Sequence, residues 1–453
     1  MKDTTLAFLN ISATVRAFNF ATMIVFFLAC ESAQVDSLEV QKPNFVIIMA
    51  DDLGYGDLGS YGQLSYQTPN LDSMAANGLM FTDYHSNGAV CTPTRAALLT
   101  GKYQQMVGME GVIYVRGKTR QTGLDTSNVT LAELLKSAGY ATGVVGKWHL
   151  GYRPEYNPVH QGFDFFRGYV SGNIDYHSHY DNAGIYDWWD GLDSVSETGY
   201  VTDLLSKNAT NFIKENQQEP FCLYIAHEAP HWPYQGRNDP ADRFPDTEFN
   251  SQGSRQDYAG AYQEMVEVMD ESVGAVLNVL DSLQLSENTL VFFCSDNGAV
   301  DSLGNNGVLR GHKSQLWEGG HRVPAIAYWP GTINPGSTDA TVLSMDVLPT
   351  LLSLAESTIP ASFSTTGIDF SPVFNSEALP ERTTFWRYRG QQAVRQGDWK
   401  LLMRQDSTYL FDLQQDIAEL QNLAGDQPEK VSELLDTLSQ WEAMIDRVPQ
   451  RTK

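Results

Sequence analysis

The sequence predicts an α/β fold: a large mixed, mostly parallel sheet sandwiched by helices, followed by a smaller antiparallel sheet with one covering helix. Three observations predict it. Apolar, β-rich runs at 44–50, 140–145, 219–226 and 289–294 read as strands buried on both faces, and helical stretches alternate with them, which implies parallel strands. Most of these runs end in polar loops, and in open α/β sheets ligands gather beyond the carboxyl ends of strands. From about Thr383 the pattern changes to short alternating strands and a final helix at 429–445. The boundaries are drawn at 1–30 for a signal peptide, 40–375 for the main domain and 376–453 for a C-terminal α+β subdomain.

In chain order, the apolar run Ala21–Ala29 follows Lys2 and Arg16 and is too short to span a bilayer comfortably, so it reads as a secretory signal. Phe27-Leu28-Ala29-Cys30 loosely resembles a bacterial lipobox except at Phe27, which leaves a lipid anchor at Cys30 as the alternative to cleavage near Ala29 or Ala33. No later segment is apolar for long enough to span a membrane.

The 44–50 strand ends in Asp51-Asp52-Leu53-Gly54. Adjacent acids repel unless a cation lies between them, so the pair suggests a metal cradle over a merely solvated turn. A capped helix over 68–78 and a short strand at 79–84 lead to Cys91-Thr92-Pro93-Thr94-Arg95, where Pro93 suits a first helical turn and Cys91 sits just before the helix start. Such an end attracts anions, and Arg95, one turn in, could point its fork back at a bound oxyanion.

The 128–139 segment reads as a helix and 140–145 as a strand ending in Gly146-Lys147-Trp148-His149. Alternation along an extended segment would put Lys147 and His149 on one side. Ser171 lies near a Gly-Phe-Asp element, and His177 and His179 fall in a polar loop suited to substrate contact. The 219–226 strand runs into His227 and His231, a pair with no third zinc ligand at a recognisable spacing. Residues 258–283 carry the apolar spacing of a packed helix. The 289–294 strand ends in Ser295-Asp296-Asn297, and Asp51, Asp52, Asp296 and Asn297 together offer hard oxygen ligands, which select Ca²⁺ or Mg²⁺ over zinc.

At 453 residues with 42% hydrophobic content the chain can bury a large core, and the composition does not suggest disorder. A net charge of -25 argues against a nucleic-acid partner. Four cysteines make no disulfide scaffold, and Cys222 and Cys294 read as packed thiols. Asn128 and Asn208 stand in glycosylation sequons that matter only in a eukaryotic secretory pathway.

The run Cys91-Thr92-Pro93-Thr94-Arg95, followed by Ala-Ala-Leu-Leu-Thr-Gly-Lys, resembles the signature of the type I sulfatases of the alkaline phosphatase superfamily. So do Gly146-Lys147-Trp148-His149, Pro230-His231-Trp232-Pro233 and Lys313 with Glu318-Gly319-Gly320, in the family's order, across Pro43 to about Leu423. The resemblance implies that Cys91 is oxidised to formylglycine by a formylglycine-generating or equivalent enzyme, and that Ca²⁺ bridges Asp51, Asp52, Asp296, Asn297 and the modified Cys91.

The resemblance further implies that a hydroxyl of the aldehyde hydrate attacks sulfur, with Asp296 as plausible base. Arg95, Lys147, Lys313 and the cation hold the sulfate, His231 or Lys313 gives the leaving alcohol a proton, and His149 takes one as sulfate is expelled. Ser171 is a candidate to approach the sulfate, and Trp386, Arg387 and Arg389 are candidates to line the pocket beside the ester. The expected substrate is a sulfated carbohydrate and the expected setting is secreted or periplasmic. Phosphonate or phosphodiester hydrolysis within the superfamily, or non-catalytic binding of sulfated glycans, are the alternatives. Such a site must be locally positive inside an acidic protein.

Overall fold

Strands form where an unbroken apolar run can be covered from both sides. The computed structural model describes residues 42–452 apart from 359, 361 and 362; the expected signal segment and Cys30 lie outside the described residues. Asn44–Ala50, buried along its length, sits within a ten-stranded sheet. It runs parallel to Phe221–Ala226 on one side and Thr289–Ser295 on the other, and Ala141–Lys147 and Phe165–Tyr169 continue the parallel set. Ala325–Tyr328 pairs antiparallel with Thr289–Ser295, and short strands finish the edges.

The period-two alternation of the central strand divides the core into two layers. Phe45, Ile47 and Met49 pack with Leu98, Leu99, Leu134, Leu135, Leu348 and Leu351, from helices Cys91–Thr100, Leu131–Ser137 and Val347–Leu354. Val46, Ile48 and Ala50 pack with Leu71, Val201, Leu205, Met265 and Met269, from helices Pro69–Ala76, Val201–Glu215 and Tyr258–Ser282. Each buried aliphatic side chain contributes roughly 1.5–3 kcal/mol over leaving it exposed. The Leu131 helix is fixed at its start by a capping box, Thr130 accepting from the Glu133 amide while Glu133 accepts from the Thr130 amide. Asn208 is buried and donates to the Leu204 carbonyl at 2.7 Å, which leaves that sequon no room for a glycan.

The C-terminal strands Thr383–Tyr388, Gln391–Gln396, Trp399–Arg404 and Ser407–Asp412 form an antiparallel meander, and Pro428–Ile445 covers it through Leu434, Leu438, Trp441 and Ile445. This sheet shares its core with Ala89, Val90 and Ala97, at and within the Cys91 helix. A buried ionic seam runs along the junction: Lys400 contacts Glu318 at 2.8 Å and Glu419 at 2.9 Å, while Arg395 and Arg322 contact Asp83 at 2.8 and 3.0 Å. Trp386 belongs to this junction and not to a pocket wall. It is fully buried, stacks on His321 and donates to the Ser86 carbonyl.

Candidate active site

Four neighbouring strands end at one place. The parallel register sets Ala50 beside Ser295, Met49 beside Ala226 and Ala226 beside Gly146, so Asp51, Asp296, the His227 loop and Lys147 all emerge at the same edge of the sheet. Asp52 then turns through the left-handed region (φ 66°), and both acids bury their carboxylates there instead of alternating. Asp52 accepts from Asn297 Nδ2 at 2.7 Å, and its own amide donates to Asp296 Oδ1 at 3.2 Å, which ties the two strand ends together.

Cys91 is the first residue of its helix, with Val90 as the cap, one position further in than the sequence pattern suggested. Its thiol lies 3.2 Å from Asp51 Oδ1, and Lys313 Nζ approaches the sulfur at 3.7 Å. Burial, with Asp296 and Asp51 beside it, pushes the thiol well above its ordinary range, so the unmodified side chain is a protonated, poor nucleophile.

Arg95 departs from its expected orientation. It is fully buried and its fork closes on protein groups: Nε and Nη2 reach Asp296 Oδ2 at 3.1 and 2.8 Å, Nη2 lies 3.4 Å from Asp51, and Nη1 donates to Tyr224 Oη and the Lys147 carbonyl. It therefore aims the carboxylates and does not point into open space. Lys147 donates to Asp51 Oδ2 and Lys313 to Asp52 at 2.6–2.7 Å. Burial alone would lower both ammonium groups, but Asp51 holds Lys147, and Asp52 holds Lys313, above the usual lysine range.

The two histidines reach the site by different means. The strand stops at Lys147 and His149 adopts φ 55°, so a left-handed turn, not strand alternation, brings His149 to the pocket. Its Nε2 donates to the Ile113 carbonyl at 2.9 Å, while Nδ1 is buried with no partner among the described residues. Burial and then Lys147 keep its pKa well below the ordinary histidine value, so the ring is neutral with Nδ1 as its bare acceptor. Gly172 packs against this ring so closely that a Cβ there would lie 2.7 Å from Nε2. His231 donates from Nδ1 to the Trp232 carbonyl at 2.6 Å and faces Asp52 with Nε2 at 3.7 Å. His227 is buried behind, its amide on the Met49 carbonyl.

Cys91, His149, His231 and Lys313 line a pocket of about 240 Å³, with walls that include Tyr114, Tyr152, Asn173, Asn182, Trp232 and Arg389. Three residues suggested for substrate contact are engaged elsewhere. Ser171 donates to the Asn173 carbonyl, His177 pairs with the Gly236 carbonyl, and His179 pairs with the Gly199 carbonyl and stacks on Trp188. Arg387 is held by Glu110, Glu442 and Asp446 outside this pocket. Sequence reasoning missed the aromatic walls and both asparagines, although Trp232 adjoins His231 and Asn182 closes the polar loop at 177–182.

Two family models match the chain: Sulfatase over residues 43–357, and N-sulphoglucosamine sulphohydrolase, C-terminal, over residues 311–444. The chain belongs to the sulfatase family. It is accordingly an enzyme that hydrolyses sulfate esters. Among similar sulfatases, arylsulfatase A of Bos taurus is 34% identical, over 89% of this chain and 87% of the relative. The N-acetylgalactosamine-6-sulfatase of Canis lupus familiaris is 37% identical, over 80% of this chain and 71% of the relative. The crystal structure of Ps i-CgsB superposes with a TM-score of 0.80 at 31% identity, covering 88% of this chain and 93% of that one.

Sulfatase membership implies a metal ion and a formylglycine, and the residues present fit a cation. Ligand atoms of Asp51, Asp52, Cys91 and His231 lie within 4.8 Å of one another. The buried Asn297 Oδ1 has no hydrogen-bond partner among the described residues, its amide nitrogen being engaged by Asp52 and the Gly298 carbonyl, so its lone pairs are left to ligate a cation. Asp51, Asp52 and Asp296 face Arg95, Lys147 and Lys313, three charges against three. A divalent cation would make this balanced cluster positive, which is what an anionic ester requires inside a chain of net charge -25. No helix among the described residues is long and apolar enough to cross a membrane.

Proposed function

We propose that this sulfatase removes sulfate from a sulfated carbohydrate, using a formylglycine made from Cys91 and a hard divalent cation, Ca²⁺ with Mg²⁺ as the alternative, held by Asp51, Asp52, Asp296 and Asn297. The observation that carries the reading is the position of Cys91 in the lining of a pocket, its sulfur in contact with both Asp51 and Lys313. The hydrated aldehyde would supply the nucleophile and the cation would stabilise charge on the sulfate.

The chain's own residues divide the remaining work. Lys147 and Lys313, kept charged by their carboxylates, provide positive charge at the sulfate position, and Arg95 keeps Asp296 and Asp51 aimed. The bare Nδ1 of His149 is the proton acceptor. His231 Nε2, opposite Asp52, and Lys313 Nζ are the groups within reach of a leaving oxygen.

Aromatic and amide walls suit a sugar ring, whose C–H faces stack and whose hydroxyls hydrogen-bond. The carbohydrate class is supported by the relatives: one is named N-acetylgalactosamine-6-sulfatase, and Ps i-CgsB has been solved in complex with k-i-k-neocarrahexaose. The apolar 21–29 run supports a secreted or periplasmic setting and, with it, maturation by a formylglycine-generating or equivalent enzyme.

The test is to co-express the protein with a maturation enzyme, measure conversion of Cys91 by peptide mass, and screen sulfate release from defined sulfated oligosaccharides beside aryl sulfates, phosphodiesters and phosphonates. Sulfate release from a carbohydrate is expected. Turnover confined to phosphorus esters would overturn the reading.

A further inference from the structure

The pocket that holds Cys91 also holds a cation with no counter-charge among the described residues. Of the described residues that line it, Lys313 and Arg389 carry charge, and there is no Asp or Glu. Lys313 is committed to Asp52 at 2.6 Å. Arg389 is not committed to any carboxylate. Its Nη2 donates to Tyr114 Oη and its guanidinium lies 5.2 Å from the centroid of the Tyr388 ring, contacts that orient the group and leave its charge uncompensated.

The backbone puts that charge in a fixed place. Arg389 and Gly390 form the two-residue turn between strands Thr383–Tyr388 and Gln391–Gln396, closed by the Tyr388–Gln391 pair, and both have positive φ, 46° and 74°. Such a turn favours Asn-Gly, so a long charged side chain at its first position is not called for by the turn itself. The tip is tied to the segment that follows Lys313: Gln391 donates from Nε2 to the Ser314 carbonyl at 3.0 Å and accepts through Oε1 from the Leu316 amide at 3.2 Å. Lys313 in turn approaches Cys91 Sγ at 3.7 Å.

Asn173 shows the same polarity in another part of the wall. Arg243, fully buried, donates from Nη1 to Asn173 Oδ1 at 2.7 Å. An arginine can only donate, so the carbonyl end of that amide is fixed towards Arg243. The Nδ2 end, with no hydrogen-bond partner among the described residues, is what Asn173 offers the pocket it lines. A free guanidinium and a free amide N–H both call for acceptor oxygens.

We propose that Arg389 is a specificity-determining residue that binds a second oxyanion of the substrate, a carboxylate or a further sulfate close to the ester being cleaved. The proposal rests on the reading of the Cys91 pocket as the place of a sulfated carbohydrate and narrows that class to substrates with two negative groups. A guanidinium fork matches carboxylate and sulfate oxygens alike through paired, charge-assisted hydrogen bonds.

Two sets of probes are given to the matured enzyme. Aryl sulfates with a ring carboxylate placed ortho, meta or para are compared with the matching carboxamides, which reads the second charge independently of any sugar. Galactose and N-acetylgalactosamine sulfates linked to a neutral hexose, to a hexuronic acid and to a sulfated hexose then separate carboxylate from sulfate as the second group. The dianionic member should have the higher kcat/KM by ~5-fold or more, mainly through KM, a modest factor because Arg389 is exposed. The factor should shrink at high ionic strength.

Arg389→Gln should bring the dianion-to-monoanion ratio of kcat/KM close to one, and Arg389→Lys, which keeps the charge without the fork, should keep part of it. Circular dichroism and thermal melting establish that both variants are folded. No preference for the dianionic member in any pair, or a preference that Arg389→Gln leaves intact, overturns the second site, while sulfate release from the carboxamide probes leaves the sulfatase chemistry standing. Turnover confined to the aryl set overturns the carbohydrate reading and with it the narrowed substrate class.

Discussion

Replacing Arg95 by methionine separates two roles that its position in the Cys91 motif leaves open. The guanidinium is fully buried and directs Nε and Nη2 at Asp296 and Nη2 also at Asp51, so its removal leaves two buried carboxylates sharing Lys147. Breaking a buried pair from one side costs roughly 3–5 kcal/mol, because the surviving charge stays desolvated. Arg95→Met should therefore lose about that much stability in urea unfolding with chelator present, and adding Asp296→Asn should return ~2 kcal/mol or more of it.

Since Asp296 is also proposed as a cation ligand, apparent Ca²⁺ affinity, read as the ion-dependent rise in melting temperature and by calorimetry, should fall ~10- to 100-fold. A direct sulfate-gripping role predicts something else: a raised KM with Ca²⁺ affinity unchanged. That pattern, or a stability loss below ~1 kcal/mol, would refute the orienting role.

Three further outcomes are expected. Cys91→Ser should fold and melt like the parent yet give almost no multiple turnover of an aryl sulfate; full turnover would remove formylglycine from the proposal. His149→Ala, which deletes the bare Nδ1, should lower kcat by ~10²- to 10⁴-fold with a smaller change in KM, and an unaltered kcat would reassign the proton acceptor. His227 is neutral in the fold, its pKa lowered by burial from 6.5 to about 4. Between those values the unfolded chain binds a proton that the folded chain does not, so stability falls as pH drops through that window and the loss is complete below about 4. That difference corresponds to ~3 kcal/mol. His227→Gln should remove this component in urea titrations at pH 7.5, 5.5 and 4.5, and an unchanged pH dependence would contradict the burial argument.

The sheet was readable because a strand covered on both faces cannot afford a polar side chain, so 44–50, 219–226 and 289–294 announce themselves as unbroken apolar runs. The acids after two of those runs were readable for the complementary reason, that costly groups stand where a ligand can offset them. Trp386, Arg387, His177 and His179 were less so. Each has the residue type of a sugar contact, yet Trp386 stacks on His321, Arg387 closes on three carboxylates, and both histidines bond backbone carbonyls elsewhere.

By itself the sequence determined the strands, the helices and the set of polar residues at the strand ends, because these depend on local period and on the chemistry of each side chain. Only the tertiary structure decided that Arg95 turns to Asp296 and that His149 leaves Nδ1 bare. Arg95 and Asp296 are 201 residues apart in the chain, and no local pattern records which partner a side chain will meet where such segments converge.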